Sequence, residues 1–258
     1  MSPRRIGVLA GHELRMLRGD VFALVILLVM PLIVMSLVKP MFGLALRQQG
    51  APAGNGAAGA VPGEALMFGM FVVMFGGFAF YRDHQWFVWE RLRTTRLTPA
   101  ELVVGKSLPI LAMSAGQLAV LFALSVPLFG LRVAPGDVPA LLAAVAATAA
   151  MITSIAVALA AVCRSVQQFS SIGNLVSLAV AGAGGGLVPT SLLPGWAQAV
   201  APATPAYWAI KAFREIFLGR VGWTGVWLPV AVLAGIAAVL TALAVLRFDA
   251  AETKVSWS

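Results

Sequence analysis

Six stretches of this chain contain no Asp, Glu, Lys or Arg: residues 21–38, 65–81, 107–131, 139–162, 166–188 and 226–246, each between 17 and 25 residues long. About 20 apolar residues in a helix cross a hydrocarbon core of about 30 Å. Lipid offers no hydrogen bonds to the backbone, so a helix, which satisfies its own peptide groups, is the expected form of each stretch. The apolar–polar alternation of a membrane β-barrel is missing. The predicted fold class is therefore an all-α integral membrane protein with six transmembrane helices. Composition agrees: 60% of the 258 residues are hydrophobic and 11% charged, against about a quarter charged in soluble domains. An ordinary soluble enzyme and a disordered chain are both excluded.

The net charge of +8 does not call for a nucleic acid, because the basic residues are distributed as a membrane topology requires. With both termini in the cytoplasm, the inner segments hold twelve of the Lys and Arg residues and the outer segments six, as the positive-inside rule expects. The outer segments include a local excess at Lys211, Arg214 and Arg220. The first apolar run is longer than the 7–15 residues of a signal peptide and is followed by Lys39-Pro40 rather than a cleavage site, so it reads as a retained helix. A lone cysteine, Cys163, excludes an intrachain disulfide and gives no metal-site spacing.

Organisation follows from the spans. The chain is predicted to form a single transmembrane domain over residues 1–258. Residues 1–20 place Ile6, Leu9, Ala10, Leu14 and Leu17 at three- and four-residue steps between arginines, the pattern of an amphipathic interfacial helix. Pro31 should kink the first span, and the Gly- and Ala-rich segment 48–63 reads as a flexible outer loop. The second span carries Phe68, Phe71, Phe75 and Phe78 with Met67, Met70 and Met74, a stripe suited first to packing and second to a permissive apolar path. Residues 82–106 form the one sizeable cytoplasmic loop, with Trp86 and Trp89 at the interface. Within it Thr98-Pro99-Ala100-Glu101 has the form of a capping box that starts a helix. The fifth span is the most polar, with Gln167, Gln168, Ser170, Ser171, Asn174 and Ser177, which suits interhelical contact. Residues 189–225 are apolar but broken by Pro189, Pro194, Pro202 and Pro205, and read as two short helices in an extracytoplasmic re-entrant hairpin before the last span.

Two negative findings narrow the function. Ala100 to Ser107 ends in Gly-Lys-Ser, but Ala100 stands where a phosphate-binding loop needs its first Gly and the intervening residues favour helix. Lys106 reads instead as a membrane-interface anchor. The six stretches hold no ionisable group of the kind proton-driven carriers place in the bilayer, and no catalytic triad, paired carboxylates or metal-ligand cluster is apparent. Catalytic and metal sites are expected to be absent, and energy is expected to arrive through a partner.

The order of these features resembles the ABC-2 type transporter permeases: a basic amphipathic start, six spans, Glu90-Arg91 then Leu97-Thr98-Pro99 and Gly105-Lys106 before the third span, and Leu193-Pro194-Gly195-Trp196 with Pro205 and Arg214 before the sixth. The Gly-Thr-Leu step that many members show after the acidic residue is replaced here by Leu92-Arg93-Thr94-Thr95. The resemblance implies a second permease, identical or related, and two ATP-binding cassette ATPase subunits that carry ATP and magnesium, with no cofactor on this chain. It places Glu90, Arg91, Thr98, Pro99, Glu101 and Lys106 in the region coupled to the ATPases. Phe71, Phe75, Phe78 and Asn174 fall on a path lined by the first, second and fifth spans, and Pro194, Trp196, Pro205 and Arg214 at an outer gate. The implied protein is a multi-pass subunit in the inner or plasma membrane of a bacterium, exporting amphiphilic small molecules such as drugs or natural products. Exporters of lipid or polysaccharide in the same family are the nearest rivals. A channel or sodium-driven carrier and a lipid-modifying membrane enzyme are more distant ones.

Overall fold

The computed structural model describes residues 21–48, 56–85, 98–186, 188–219 and 223–247, together with Gly7, Ala10 and Gly11, which are helical. The expected interfacial helix over 1–20 otherwise lies outside the described residues, as do Trp86, Trp89, Glu90 and Arg91. The main helices are α1 (Val21–Gln48), α2 (Ala57–Gly69), α3 (Phe71–Gln85), α4 (Pro99–Phe129), α5 (Val138–Val162), α6 (Val166–Ala183), α7 (Gly195–Val200), α8 (Pro205–Leu218) and α9 (Trp223–Arg247). The described residues contain no strand. Five segments are long and apolar enough to cross a membrane: Val25–Ala45, Ala57–Phe78, Ala100–Phe129, Pro135–Val162 and Thr224–Arg247. Helix α6, the expected fifth span, is not among them, because its Gln, Ser and Asn residues dilute an 18-residue helix. Between α6 and α9 the chain forms the short helices α7 and α8, with Thr204 capping α8 and Pro205 opening it.

Helix α5 lies at the centre. It packs against α3, α4, α6, α8 and α9, and its sequence explains how: Ala occupies most turns, so neighbouring backbones can come close. In the α5 segment 72% of the apolar window is buried, against 22% for the segments of α1 and α9, which therefore form the periphery. There Val29, Ile33 and Leu37 of α1 and Val239, Leu243 and Leu246 of α9 are exposed, as expected for faces solvated by lipid rather than water.

One feature differs from the sequence-based reading. Part of the flexible loop expected at 48–63 is helix: α1 runs through Lys39-Pro40 to Gln48 and α2 begins at Ala57. Small residues that would be mobile in water serve here as contact surface. A Cβ at Gly63 would overlap the Gly186 carbonyl, and one at Gly59 would lie 2.7 Å from the Phe42 ring. Pro31, expected to kink the first span, lies inside α1. Proline at 31 leaves the Leu27 carbonyl without its helical donor, and the Gln117 side chain donates to that carbonyl from α4 at 3.0 Å. Similarly, Lys39 Nζ donates to the Phe129 carbonyl at the end of α4, 3.2 Å away, a favourable place for a cation at a helix C-terminus.

These contacts set two stability tests. Gln117→Leu should lower stability by about 1–3 kcal/mol by orphaning a buried carbonyl, read as a lower melting temperature in detergent. Gly77→Ala should cost a similar amount, about 1–3 kcal/mol, because a Cβ there would overlap the Phe169 ring. Gly116→Ala, which meets nothing within 4 Å, should leave the melting temperature unchanged or raise it slightly.

Candidate functional site

Four connections define one end of the bundle, where α3 and α5 finish and α4 and α6 begin. Thr98 Oγ1 accepts from the Glu101 amide at 3.2 Å and Glu101 Oε2 accepts from the Thr98 amide at 3.1 Å, with Pro99 in the first helical turn. This is a complete capping box, so the start of α4 is held by two reciprocal bonds. Lys106, one turn further, is 1% exposed and its ammonium lies 5.1 Å from the centre of the Phe80 ring. Residues 100–107 are continuous helix, which leaves no loop to wrap a phosphate. Tyr81 donates its hydroxyl to the Cys163 carbonyl at 3.1 Å, tying the end of α3 to the α5–α6 turn. Ser165 then caps α6 by accepting from the Gln168 amide at 3.1 Å. The structure thus brings Thr98, Pro99, Glu101 and Lys106 together at the root of the 82–106 loop, while Glu90 and Arg91 lie outside the described residues.

A second feature is a pair of adjacent stripes on α3 and α6. Phe71, Phe75 and Phe78 recur at four- and three-residue steps along α3, with Phe71 and Phe78 exposed and Phe75 half-buried. On α6, Gln167, Ser171 and Asn174 recur at the same steps and are all exposed. The helices join through Phe169, whose ring centre is 5.9 Å from that of Phe78 and 5.4 Å from that of Tyr81. Ser177 Oγ donates to the Met70 carbonyl at 3.4 Å. Phe169 of α6 is thus buried against aromatic rings of α3 and Ser177 faces this chain, whereas Gln167, Ser171 and Asn174 are exposed together with Leu175 and Leu178. Phe169 and Tyr81 escaped the sequence reading; their signal is only that each is a bulky aromatic next to a helix terminus.

The opposite end contains the residues expected at an outer gate. Trp196 is largely exposed on α7, and its neighbour Ala197 is buried. Pro194 precedes α7 and Pro205 opens α8. Arg214 lies on α8 with its guanidinium 5.6 Å from the Phe42 ring centre, and its Nε and Nη2 have no hydrogen-bond partner among the described residues. Burial lowers the Arg214 pKa from its ordinary value to about 10, so the group stays charged at neutral pH. Phe213 and Phe217 on the same helix pack on Phe122 of α4, with ring centres 4.7 Å and 5.3 Å away.

The expectation that the membrane-embedded helices carry no ionisable group is corrected here. The span Ala57–Phe78 includes Glu64, which is 0% exposed and whose two carboxyl oxygens have no hydrogen-bond partner among the described residues. The sequence reading began the second span at Ala65 and so left Glu64 in a loop. Helix α2 also packs against α8, the helix that bears Arg214. An unbonded carboxyl in an apolar surrounding is a stability defect, and inside a membrane such a residue marks a functional position by default. Glu64→Met should therefore raise the melting temperature of the purified protein. A fall would mean that the carboxyl is bonded by a group outside the described residues.

Among the described residues no group of three or more His, Cys, Asp or Glu side chains could hold a metal. Comparison with known proteins places this arrangement in a family. The profile of the ABC-2 type transporter family matches residues 6–218. A linearmycin resistance permease protein of Bacillus subtilis (strain 168), LnrN, is 26% identical over 204 residues, which is 79% of this chain and 50% of that protein. The chain thus spans about half the length of this curated relative. Five long apolar helices, a capped start to α4 above a buried lysine, and a family match over most of the sequence lead to one conclusion: the chain is a membrane component belonging to the ABC-2 type transporter family.

Proposed function

We propose that the chain is the permease subunit of an ATP-driven exporter that moves amphiphilic small molecules out of the cell, powered by two separate ATP-binding cassette ATPases and completed by a second permease. The observation that carries this reading is the uncovered polar stripe of α6. Gln167, Ser171 and Asn174 facing lipid would leave their amides and hydroxyl without partners, so this face calls for water or a second permease. With the Phe stripe of α3 beside it, the surface combines aromatic and hydrogen-bonding groups, which suits cargo that has both an apolar body and polar substituents. The resistance function in the name of the Bacillus relative supports export of a toxic small molecule.

In this reading α6 completes six crossings, both termini are cytoplasmic, and α7 and α8 form a re-entrant hairpin at the outer face of a bacterial inner or plasma membrane. The capped start of α4 transmits the push of the ATPases. The capping box makes that segment stiff, the buried Lys106 fastens it to α3 through Phe80, and Tyr81 carries the connection to the start of α6. A push on residues 82–106 is thus delivered to the helices that bear both stripes. Glu90 and Arg91 are assigned the contact with the ATPase, and Pro194, Trp196, Pro205 and Arg214 the outer gate.

Reconstitution in liposomes tests this. The chain with a cognate ATPase should move an amphiphilic fluorescent cargo only when ATP is present, and the chain alone should not accumulate it. Thr98→Ala, which removes one half of the capping box at a cost of about 1 kcal/mol, should leave insertion intact and reduce transport per ATP hydrolysed. Asn174→Leu should lower transport about tenfold while ATP hydrolysis continues. Accumulation by the chain alone, or unchanged coupled transport in both variants, would overturn the proposal.

A further inference from the structure

The membrane-crossing segment Ala57–Phe78 is interrupted in mid-course: α2 ends at Gly69, α3 begins at Phe71, and Met70 sits in a turn between them. No proline causes the break. The one proline of this segment, Pro62, lies inside α2. Prolines elsewhere, Pro31 and Pro40 in α1, Pro109 and Pro127 in α4 and Pro229 in α9, lie within continuous helices.

Hydrogen bonds mark the interruption instead. The Met70 amide is shared between the carbonyls of Leu66 and Met67, at 2.9 and 3.2 Å, and the Val73 amide donates three residues back to the Met70 carbonyl at 3.1 Å. Such a tight turn inside a longer helix often marks a hinge. The same carbonyl accepts the Ser177 hydroxyl of α6 at 3.4 Å, so a side chain from a neighbouring helix enters the backbone ladder here, which is a known cause of bending. Met70, Val72 and Val73 are fully buried, so solvent does not reach the turn.

The turn also falls between two sets of partners. Helix α2 packs foremost on α1 and α8, and α3 foremost on α5. The close fits divide in the same way: Gly59 of α2 lies against Phe42 of α1, while Gly77 of α3 lies against Phe169 of α6. One piece is therefore bound to the helix that carries Arg214, and the other leads through Tyr81 into the 82–106 loop.

We propose that Met70 is a joint about which α3 tilts against α2, and that the Ser177 hydroxyl is the catch that holds the setting seen in this structure. At 3.4 Å the catch is longer than the roughly 2.7–2.8 Å usual for a hydroxyl donor, so it is weak enough to open and re-form. Bending at one turn lets α3 follow α5 while α2 stays with α1 and α8. The use of this joint to pass a push on residues 82–106 toward the gate rests on the function proposed above. The joint itself belongs to this chain and is tested without a partner or cargo.

Spin-label distances in the full-length protein, in lipid nanodiscs and with Cys163→Ala removing the native thiol, read the angle directly. Leu44, Phe78 and Leu142 are exposed and accept labels after substitution to Cys. Leu44 reports on α2 through α1, and Leu142 belongs to α5. The pair Leu44→Cys and Phe78→Cys should give a distribution about twice as wide as the pair Phe78→Cys and Leu142→Cys, as expected when motion is confined to a hinge. Ser177→Ala should widen the first distribution and leave the second alone, while Ser177→Thr, which keeps the hydroxyl, should match the parent. Equal widths for the two pairs would overturn the proposal, as would a Ser177→Ala change that is absent or common to both. Hydrogen exchange in unlabelled protein gives a second measurement. Residues 66–74 should exchange about tenfold faster than the similarly buried residues 144–152 of α5, and equal rates would count as refutation.

Discussion

Helix α5 can be approached from nearly every side because its side chains are small, and the other helices are arranged by that fact. In a bilayer, removing apolar surface from contact with lipid gains little, so association depends on close van der Waals packing and on the few hydrogen bonds available. Alanine along α5 permits that closeness for α3, α4, α6, α8 and α9 at once. Of the three hydroxyls on α5, those of Thr153 and Ser154 donate to their own helix, to Ala149 and Met151, while that of Thr148 has no partner among the described residues. They add no exposed polarity to the packed surface.

The same scarcity of hydrogen-bond partners explains why the long-range bonds fall where the backbone is interrupted. Proline 31 frees a carbonyl on α1 and Gln117 fills it; the C-terminus of α4 leaves carbonyls open and Lys39 fills one; α5 ends at Cys163 and Tyr81 takes its carbonyl. Each of these side chains crosses from one helix to another, so a local repair is also a connection between helices. The Tyr81 contact has a mechanical consequence, because it joins the root of the 82–106 loop to the start of the most polar helix.

Charge is arranged by the same logic. Lys106 is buried beneath an aromatic ring and Arg214 rests over another, positions in which a ring face partly offsets the loss of water. Glu64 has no hydrogen-bond partner among the described residues. Glu64 and Arg214 lie on helices that pack together, whereas Glu101 and Lys106 are buried at the start of α4.

The linear pattern of residues was enough to establish the membrane class, the helical architecture, the capping box at Thr98 and Glu101, and the family resemblance, because each depends on local composition or on spacing within one or two turns. It also placed Phe71, Phe75, Phe78 and Asn174 on helices, since periodicity is local. Which of their faces stays uncovered was decided only by tertiary structure, because exposure depends on how α3 and α6 meet through Phe169. The extent of α2 and the burial of Glu64 were likewise not legible. Glycine and alanine signal flexibility in water but close contact in a packed bundle, and only the neighbours at Phe42 and Gly186 distinguish the two. The roles of Gln117 and Lys39 could not be read from sequence for a similar reason: each fills a vacancy ninety residues away along the chain, and such pairing is a property of the folded helices rather than of any segment.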